Sequence, residues 1–184
     1  MVVEFGTDPE FLIVGANGKP ASAHLWFPDK DHKLHIPIKS RGNGKLFRDG
    51  YALEINVPPS QCRSVLADSL KFMLQKAKKL LPVGYRLVSV PAWKIDPKSL
   101  KNAPSDVQRF GCDPALDAYT GEERRINLDG ETHPMRYAGG HIHFSANPVP
   151  RWMRRYNDVR MFVKMMDLYV GLPLTCIFDD NLSY

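Results

Sequence analysis

The sequence predicts an α+β fold in which helices pack on one face of a largely antiparallel sheet. Its 15 prolines and 13 glycines divide the 184 residues into short segments, which favours strands and loops over a helical bundle. One segment alternates apolar and polar residues as a strand does, and two others repeat apolar residues at helical spacing. The resulting order of strand, helix, strand, loop, strand and helix is typical of α+β proteins.

The first predicted elements surround an Asp-Pro interruption. Residues 2–5 and 10–14 are predicted strands on either side of Thr7, Asp8 and Pro9. Residues 15–18, with the sequence GANG, are expected to form a hairpin turn, because Asn and Gly tolerate positive φ angles.

The best alternating segment is YALEINV, residues 51–57, which predicts a strand. Its apolar side chains are expected to share one face: Tyr51, Leu53, Ile55 and Val57. Ser60 is then expected to cap a helix over residues 61–81, and residues 85–90 to return as a strand. The helix carries one apolar stripe at spacings of three and four: Leu66, Leu70, Met73, Leu74, Ala77 and Leu81.

The second half of the chain is less regular. Residues 91–136 are rich in Asp-Pro, Gly and charged residues, and we expect a long loop region with short elements, which is more often functional than idle. Residues 139–145 are a predicted strand. Residues 152–170 are a predicted helix that ends at Gly171 and Pro173, with one apolar face: Tyr156, Val159, Val163, Met166 and Val170.

Composition limits the classes of function. No apolar run approaches the roughly 18 residues of a membrane span, and the first residues lack the pattern of a signal peptide. Cys62, Cys112 and Cys176 are widely spaced, which indicates reduced thiols in a cytoplasmic protein. Cys112 is expected to be a structural thiol and not a nucleophile. The net charge of +5 suits nucleic acid or an anionic small molecule such as a nucleotide, but no basic stretch is interleaved with aromatic residues, so nucleic acid is unlikely.

Three acidic residues are candidate metal ligands. If the segment around Pro9 is extended, Asp8 and Glu10 share a face, and two such carboxylates repel unless a cation or a proton lies between them. Mg²⁺ prefers carboxylate oxygens. Glu54 lies in the middle of the strand predicted over residues 51–57, opposite its apolar face. The alternative is that Asp8 and Pro9 form a turn and that both glutamates are merely exposed to solvent.

The hexapeptide GGHIHF, residues 139–144, holds two histidines at alternate positions. In a strand His141 and His143 project from the same face, and this spacing is common among metal ligands and also by chance. Gly139 and Gly140 lack side chains, so a ligand or another backbone can approach closely. The pair therefore indicates a site without specifying its ligand.

Four segments in this order resemble the phage-type carboxylate–amine ligases, the type 2 amidoligases related to glutamine synthetase and glutamate–cysteine ligase. The segments are GTDPEF at 6–11, DGYALEINVPP at 49–59, FGCDPALDAYTGE at 110–122 and GGHIHF at 139–144. The resemblance covers nearly the whole chain. It implies one glutamine-synthetase-like catalytic domain over residues 1–184, with a curved sheet, in which the family's C-terminal part is either absent or lies beyond these residues.

The resemblance also implies the chemistry of the site. An ATP- and Mg²⁺-dependent ligase of this type joins a carboxylate to an amine through an acyl phosphate, with small molecules or peptides as substrates. The implied metal ligands are Asp8, Glu10, Glu54 and His141. The implied catalytic residues are Glu10, Glu54 and His141. The implied nucleotide-binding residues are Gly139, Gly140, His141 and His143.

Two other functions remain open at this stage. The same fold could serve a non-catalytic phage protein in assembly or binding, and the two histidines with the carboxylates could serve a metal-dependent hydrolase. The expected location is the cytoplasm, that of the host if a phage encodes the chain, or the virion. A homo-oligomer is a further expectation, because relatives of glutamine synthetase often build sites between subunits.

Overall fold

The computed structural model of the protein describes residues 2–110, 115–124, 129–151 and 155–178. The chain divides into two compact units: residues 2–112 with 128–145, and residues 113–127 with 146–184. The first unit contains the large sheet and the candidate site residues. The expectation of one catalytic domain stays a prediction.

Short strands and five helices alternate along the described chain. The strands are β1 (Val2–Thr7), β2 (Glu10–Val14), β3 (Pro20–Ala21), β4 (Leu34–Ile38), β5 (Gly42–Asp49), β6 (Ala52–Asn56), β7 (Arg86–Val88), β8 (Ala92–Lys94), β9 (Ala115–Leu116), β10 (Glu123–Arg124), β11 (Met135–Tyr137) and β12 (Ile142–Asn147). The helices are α1 (Arg63–Leu80), α2 (Pro97–Lys101), α3 (Ser105–Gln108), α4 (Tyr156–Met166) and α5 (Leu172–Phe178).

A curled antiparallel sheet of six strands organises the first unit. Its order is β3-β2-β6-β5-β4, and β7 also pairs with β2. A small antiparallel ribbon of β8 and β11 lies in this unit, and β1 pairs with β12, of which residues 142–145 belong to this unit. The mixed α+β class and the antiparallel sheet are thus confirmed.

One face of the sheet packs against α1. The buried members of this core include Ile13, Leu46, Leu53, Ile55, Met73 and Ala77. The stripe predicted for α1 is confirmed, since Met73, Ala77 and Leu81 are buried and the three leucines are partly buried against the same core. Ser60 is not the N-cap of this helix. Cys62 occupies that position, and the backbone N–H of Cys62 donates a hydrogen bond to the hydroxyl oxygen of Ser60 at 3.1 Å.

The other face of the sheet carries a second core. Its buried residues are Leu12, Tyr51, Ala52, Ile95, Leu100, Ala103 and Val107. Because Leu100 belongs to α2 and Val107 to α3, helices cover both faces of the sheet and not one face alone. Tyr51 also differs from expectation: it precedes β6, follows Gly50 with its φ of 53°, and joins the second core instead of the face that holds Leu53.

The hairpin of β4 and β5 is absent from the sequence-based prediction. Its five paired positions run from Leu34 opposite Leu46 to Ile38 opposite Gly42. The alternation of apolar and polar residues is interrupted in this hairpin by Pro37 and by the sequence Gly-Asn-Gly at 42–44. The segment therefore resembles a loop in sequence. The strands predicted over 2–5, 10–14, 51–57 and 85–90 and the turn over 15–18 are confirmed.

The second unit departs from the prediction at its helix. Gly171 and Pro173 do not end it, because a π-helical turn at Asp167–Gly171 connects α4 to α5. Its predicted apolar face is not buried among the described residues. The polar face is the one in contact, since Arg160 donates to the carbonyls of Ala118 and Tyr119 at 2.8 Å each. The predicted start at 152–154 lies outside the described residues.

The close contact between β5 and α1 provides a test of the first core. Gly44 is buried, and a Cβ placed there would overlap the side chain of Met73. We expect Gly44→Ala to lower the free energy of unfolding by about 1–3 kcal/mol, because overpacking forces neighbours from their rotamers. Met73→Ala leaves a cavity and should lower it by about 2–5 kcal/mol. In urea unfolding, the double variant should lose less free energy of unfolding than the two single variants together. The reason is that the smaller residue at position 73 vacates the space that a methyl group at position 44 needs.

Gly171 supplies the matched control for this test. A Cβ there meets nothing nearer than 3.9 Å, so Gly171→Ala should be neutral or stabilising by up to about 1 kcal/mol. Strictly additive effects of Gly44→Ala and Met73→Ala would contradict the packing described.

Candidate functional site

Asp8 connects the end of β1 to the segment that carries the two histidines, where His141 precedes β12 and His143 belongs to it. Its Oδ1 accepts a hydrogen bond from the backbone N–H of His141 at 2.7 Å and lies 3.2 Å from His141 Nδ1. Its Oδ2 lies 2.9 Å from His143 Nε2. The side chain of Asp8 is 16% exposed, whereas those of His141 and His143 are 65% and 61% exposed. One carboxylate therefore orients both rings while most of each ring stays accessible.

Residues 8–10 and 139–141 run side by side at this point. The N–H of Glu10 donates to the carbonyl of Gly139 at 2.9 Å, and the N–H of Gly139 donates to Glu10 Oε2 at 2.8 Å. A Cβ at Gly140 would lie 2.9 Å from Pro9 Cα, whereas a Cβ at Gly139 would meet nothing within 4 Å. The approach that requires Gly140 is therefore that of the chain's own Pro9.

Three carboxylates converge next to this contact. Glu10 of β2 and Glu54 of β6 are directly opposite in the antiparallel register, and Asp49 ends β5. One oxygen from each lies within 4.8 Å of the others, and all three residues are half-buried. Asn56 Nδ2 donates to Glu54 Oε1 at 2.6 Å. We call Glu10, Asp49 and Glu54 the acid triad.

Burial and repulsion by neighbouring carboxylates disfavour the charged forms of Glu10 and Glu54, as their raised pKa values indicate. Burial raises the pKa of Glu54 to about 7, the hydrogen bond from Asn56 opposes this rise, and the charges of Asp8, Asp49 and Glu10 add to it. The pKa of Glu10 is raised by burial as well, against the opposing hydrogen bond from Gly139. A proton relieves such repulsion, and a bound cation relieves it in the same way.

The carboxyl group of Asp8 differs from its neighbours. Burial acts to raise its pKa, but the hydrogen bonds with His143 and with the backbone of His141, and the charges of the two imidazoles, outweigh burial. The pKa of Asp8 is consequently lowered. Asp8 and Glu10, two positions apart, are therefore held in different protonation states over part of the acidic pH range.

A cavity of about 540 Å³ adjoins these residues, within the usual size range of small-molecule sites; we call it the polar cavity because charged and amide side chains take part in a lining whose surface is otherwise largely apolar. Its lining includes Thr7, Asp8, Asn43, Lys45, Asn56, Pro58, Pro59 and His143. Lys45 stands directly opposite Asn56 in the β5–β6 register, and no described carboxylate forms an ion pair with it. The cavity thus has a cationic side at Lys45 and contacts the acid triad through Asn56.

The acid triad offers a cation oxygen ligands alone. Within the described ranges, no other group of three potential ligands lies this close together, and neither histidine nor cysteine belongs to this one. Oxygen ligands suit Mg²⁺, Mn²⁺ and Ca²⁺, whereas structural zinc sites are built from cysteine and histidine. The donor set therefore fits a hard divalent cation such as Mg²⁺.

All residues selected from the sequence lie in this region. Asp8 contacts His141 and His143, and Glu10 faces Glu54. Gly139 contributes its backbone N–H, and Gly140 permits the close approach of Pro9. Their roles toward a metal or a nucleotide stay predictions.

Asp49 and the three cysteines were not predicted to take part in the site. Asp49 was missed as a candidate ligand, although it begins the motif DGYALEINVPP, because its place depends on the unpredicted strand β5. Cys62 is exposed and free. Cys112 and the side chain of Cys176 lie outside the part of the chain that the structure describes.

Comparison with known proteins identifies no relative. No protein-family model matches the chain, and no curated protein or solved structure matches it significantly. In the part of the chain that the structure describes, no helix is sufficiently long and apolar to span a membrane.

The raised pKa of Glu54 predicts a loss of stability with increasing pH. Between its ordinary value of 4.5 and about 7, the folded protein binds more protons than the unfolded chain, so the free energy of unfolding falls across this window. Glu54→Gln removes this contribution. The melting temperature of the variant should therefore decrease less than that of the wild type between about pH 5 and about pH 8, without added metal.

Exposed Glu131 gives the matched control, because Glu131→Gln should reproduce the wild-type decrease. Equal decreases for the wild type and Glu54→Gln would show that Glu54 is not protonated preferentially in the folded protein. Differential scanning calorimetry provides the measurement.

Proposed function

We propose that the protein is an ATP- and Mg²⁺-dependent carboxylate–amine ligase built on a glutamine-synthetase-like sheet. The observation that carries the proposal is the convergence of Glu10, Asp49 and Glu54 beside a cavity with a cationic side at Lys45. An acidic cluster attracts divalent cations, and the cations with Lys45 balance the charge of a polyphosphate. Three of the four sequence motifs that resemble the amidoligases contribute to this region, with residues from β2, β5, β6 and the segment that leads into β12.

Each residue has a defined task in this proposal. The acid triad would hold Mg²⁺, with Asn56 fixing the orientation of Glu54. Asp8 keeps His141 and His143 directed toward the cavity side of the β1–β12 ribbon, where they would contact a metal ion or the phosphates. ATP would supply the phosphoryl group that activates a carboxylate toward an amine. Lys45 would bind an anionic part of the nucleotide in the polar cavity.

The composition of the acid triad favours the ligase over a zinc-dependent hydrolase. A hydrolase built on the two histidines requires imidazole ligands around its metal, yet neither histidine belongs to the acid triad. The three carboxylates supply no nitrogen or sulfur ligand. A host cytoplasmic or virion location and a homo-oligomeric state stay predictions.

Isothermal titration with ATP in excess Mg²⁺ tests the proposal. The wild type should bind with saturation, and Glu10→Gln should bind at least about tenfold more weakly, since the loss of one carboxylate removes a ligand to the metal. In the presence of hydroxylamine and a panel of carboxylic acids, the wild type should release ADP only when an acceptable acid is present. The exposed variant Glu131→Gln should behave as the wild type.

Circular dichroism should show that Glu10→Gln is folded, because the substitution removes a repulsive charge from the acid triad. Absence of Mg²⁺-ATP binding by folded wild-type protein would overturn the proposal. Binding of Mg²⁺-ATP unchanged by Glu10→Gln would place the nucleotide elsewhere.

A further inference from the structure

A second cavity lies on the opposite side of the β1–β12 ribbon from the histidine rings. Its volume is about 420 Å³, and β1, β12 and α1 form its walls. The side chains of Phe5, Leu66, Ala67, Leu70 and Ile142 line it, so its surface is almost entirely apolar. We call this cavity the apolar groove. Gly6 and Thr7 border both the apolar groove and the polar cavity.

Alternation along β12 produces the two cavities. His143 lines the polar cavity and Ile142 lines the apolar groove, because neighbouring residues of a strand project to opposite faces. Ile142 is 69% exposed and Phe5 is 36% exposed. Two large apolar residues left open to water in one concave surface are typical of a binding site.

A single charged residue borders the apolar groove. Arg63, at the first position of α1, is exposed, and no described carboxylate lies within ion-pair distance of it. The first turn of α1 contains no acidic residue. The edge of the groove at Arg63 would therefore attract an anion. A carboxylate matches the two parallel donors of a guanidinium group.

We propose that the apolar groove binds a small amphipathic carboxylate, with its alkyl chain in the groove and its head group on Arg63. The volume accommodates roughly 14 non-hydrogen atoms at about 30 Å³ each, the share of one molecule in liquid water. A linear carboxylic acid of medium length meets this limit. The proposal is independent of the ligase activity, since its residues face away from the acid triad.

Decanoate is the probe, and isothermal titration below its aggregation concentration is the measurement. We expect saturable binding of one decanoate per chain, and a loss of about fourfold in affinity for each methylene removed from the probe. Arg63→Gln should weaken binding by roughly threefold to tenfold, because the ion pair is partly exposed to solvent. Decylamine, of equal length and opposite charge, should bind more weakly than decanoate.

Two further variants separate the groove from the rest of α1. Ala67 is exposed on the helix, so Ala67→Trp should fill the groove and abolish decanoate binding while circular dichroism stays unchanged. Lys71→Gln removes a neighbouring exposed charge that does not line the groove, and it should bind decanoate as the wild type does.

Three outcomes would overturn the proposal. These are absence of saturable decanoate binding by folded wild type, binding that survives Ala67→Trp, and equal affinity for decanoate and decylamine. Sedimentation analysis adds a fourth: a dimer of the wild type that Ala67→Trp dissociates would assign the groove to a second copy of the chain instead.

Discussion

The site depends on the antiparallel contact between residues 8–10 and 139–141. Asp8 accepts the backbone N–H of His141, and Glu10 exchanges two hydrogen bonds with Gly139. The two members of each pair lie far apart in sequence; Asp8 and His141, for example, are 133 positions apart. Closing so long a loop costs entropy, but the contact fixes two acids and two histidines in one step, because their positions along the two segments determine where each side chain projects.

The acid triad is the counterpart of this contact, because it brings three half-buried carboxyl groups close together. Glu10 takes part in both, since its Oε2 accepts the N–H of Gly139 while its carboxylate faces Glu54. Among acids that repel one another at partial burial, protonation or a cation lowers the free energy. Asp8 differs, because its contacts with His141 and His143 stabilise its carboxylate as an anion. The region therefore combines Asp8, whose pKa is lowered, with Glu10 and Glu54, whose pKa values are raised, and such perturbed groups are common at functional sites.

Sequence patterns anticipated the parts of the fold that depend on local periodicity. The apolar stripe that includes Met73 and Ala77 predicted α1, and the alternation around Glu54 predicted β6. In each element, burial of one face makes apolar residues recur at a regular spacing. The local pattern did not predict β5, because Gly44 stands where an apolar residue would mark the strand, and its missing side chain leaves room for Met73. Without β5, the position of Asp49 beside the two glutamates could not be predicted. Likewise Gly140 predicted the close approach of a ligand or of another backbone without deciding between them, and the structure shows the backbone of Pro9. Contacts between distant segments leave no period in the sequence.

The β1–β12 ribbon links the two cavities physically. Gly6 and Thr7 border both, and the residue that follows them, Asp8, holds His141 and His143 through its two oxygens. A side chain or ligand pressed against the apolar face of the ribbon acts on the same backbone that positions this carboxylate. Because hydrogen bonds of 2.7 to 3.2 Å weaken steeply with misalignment, a small displacement of β1 changes the orientation of both rings. The two cavities are thus separated by a single strand pair, and the same backbone of Gly6 and Thr7 shapes both of them.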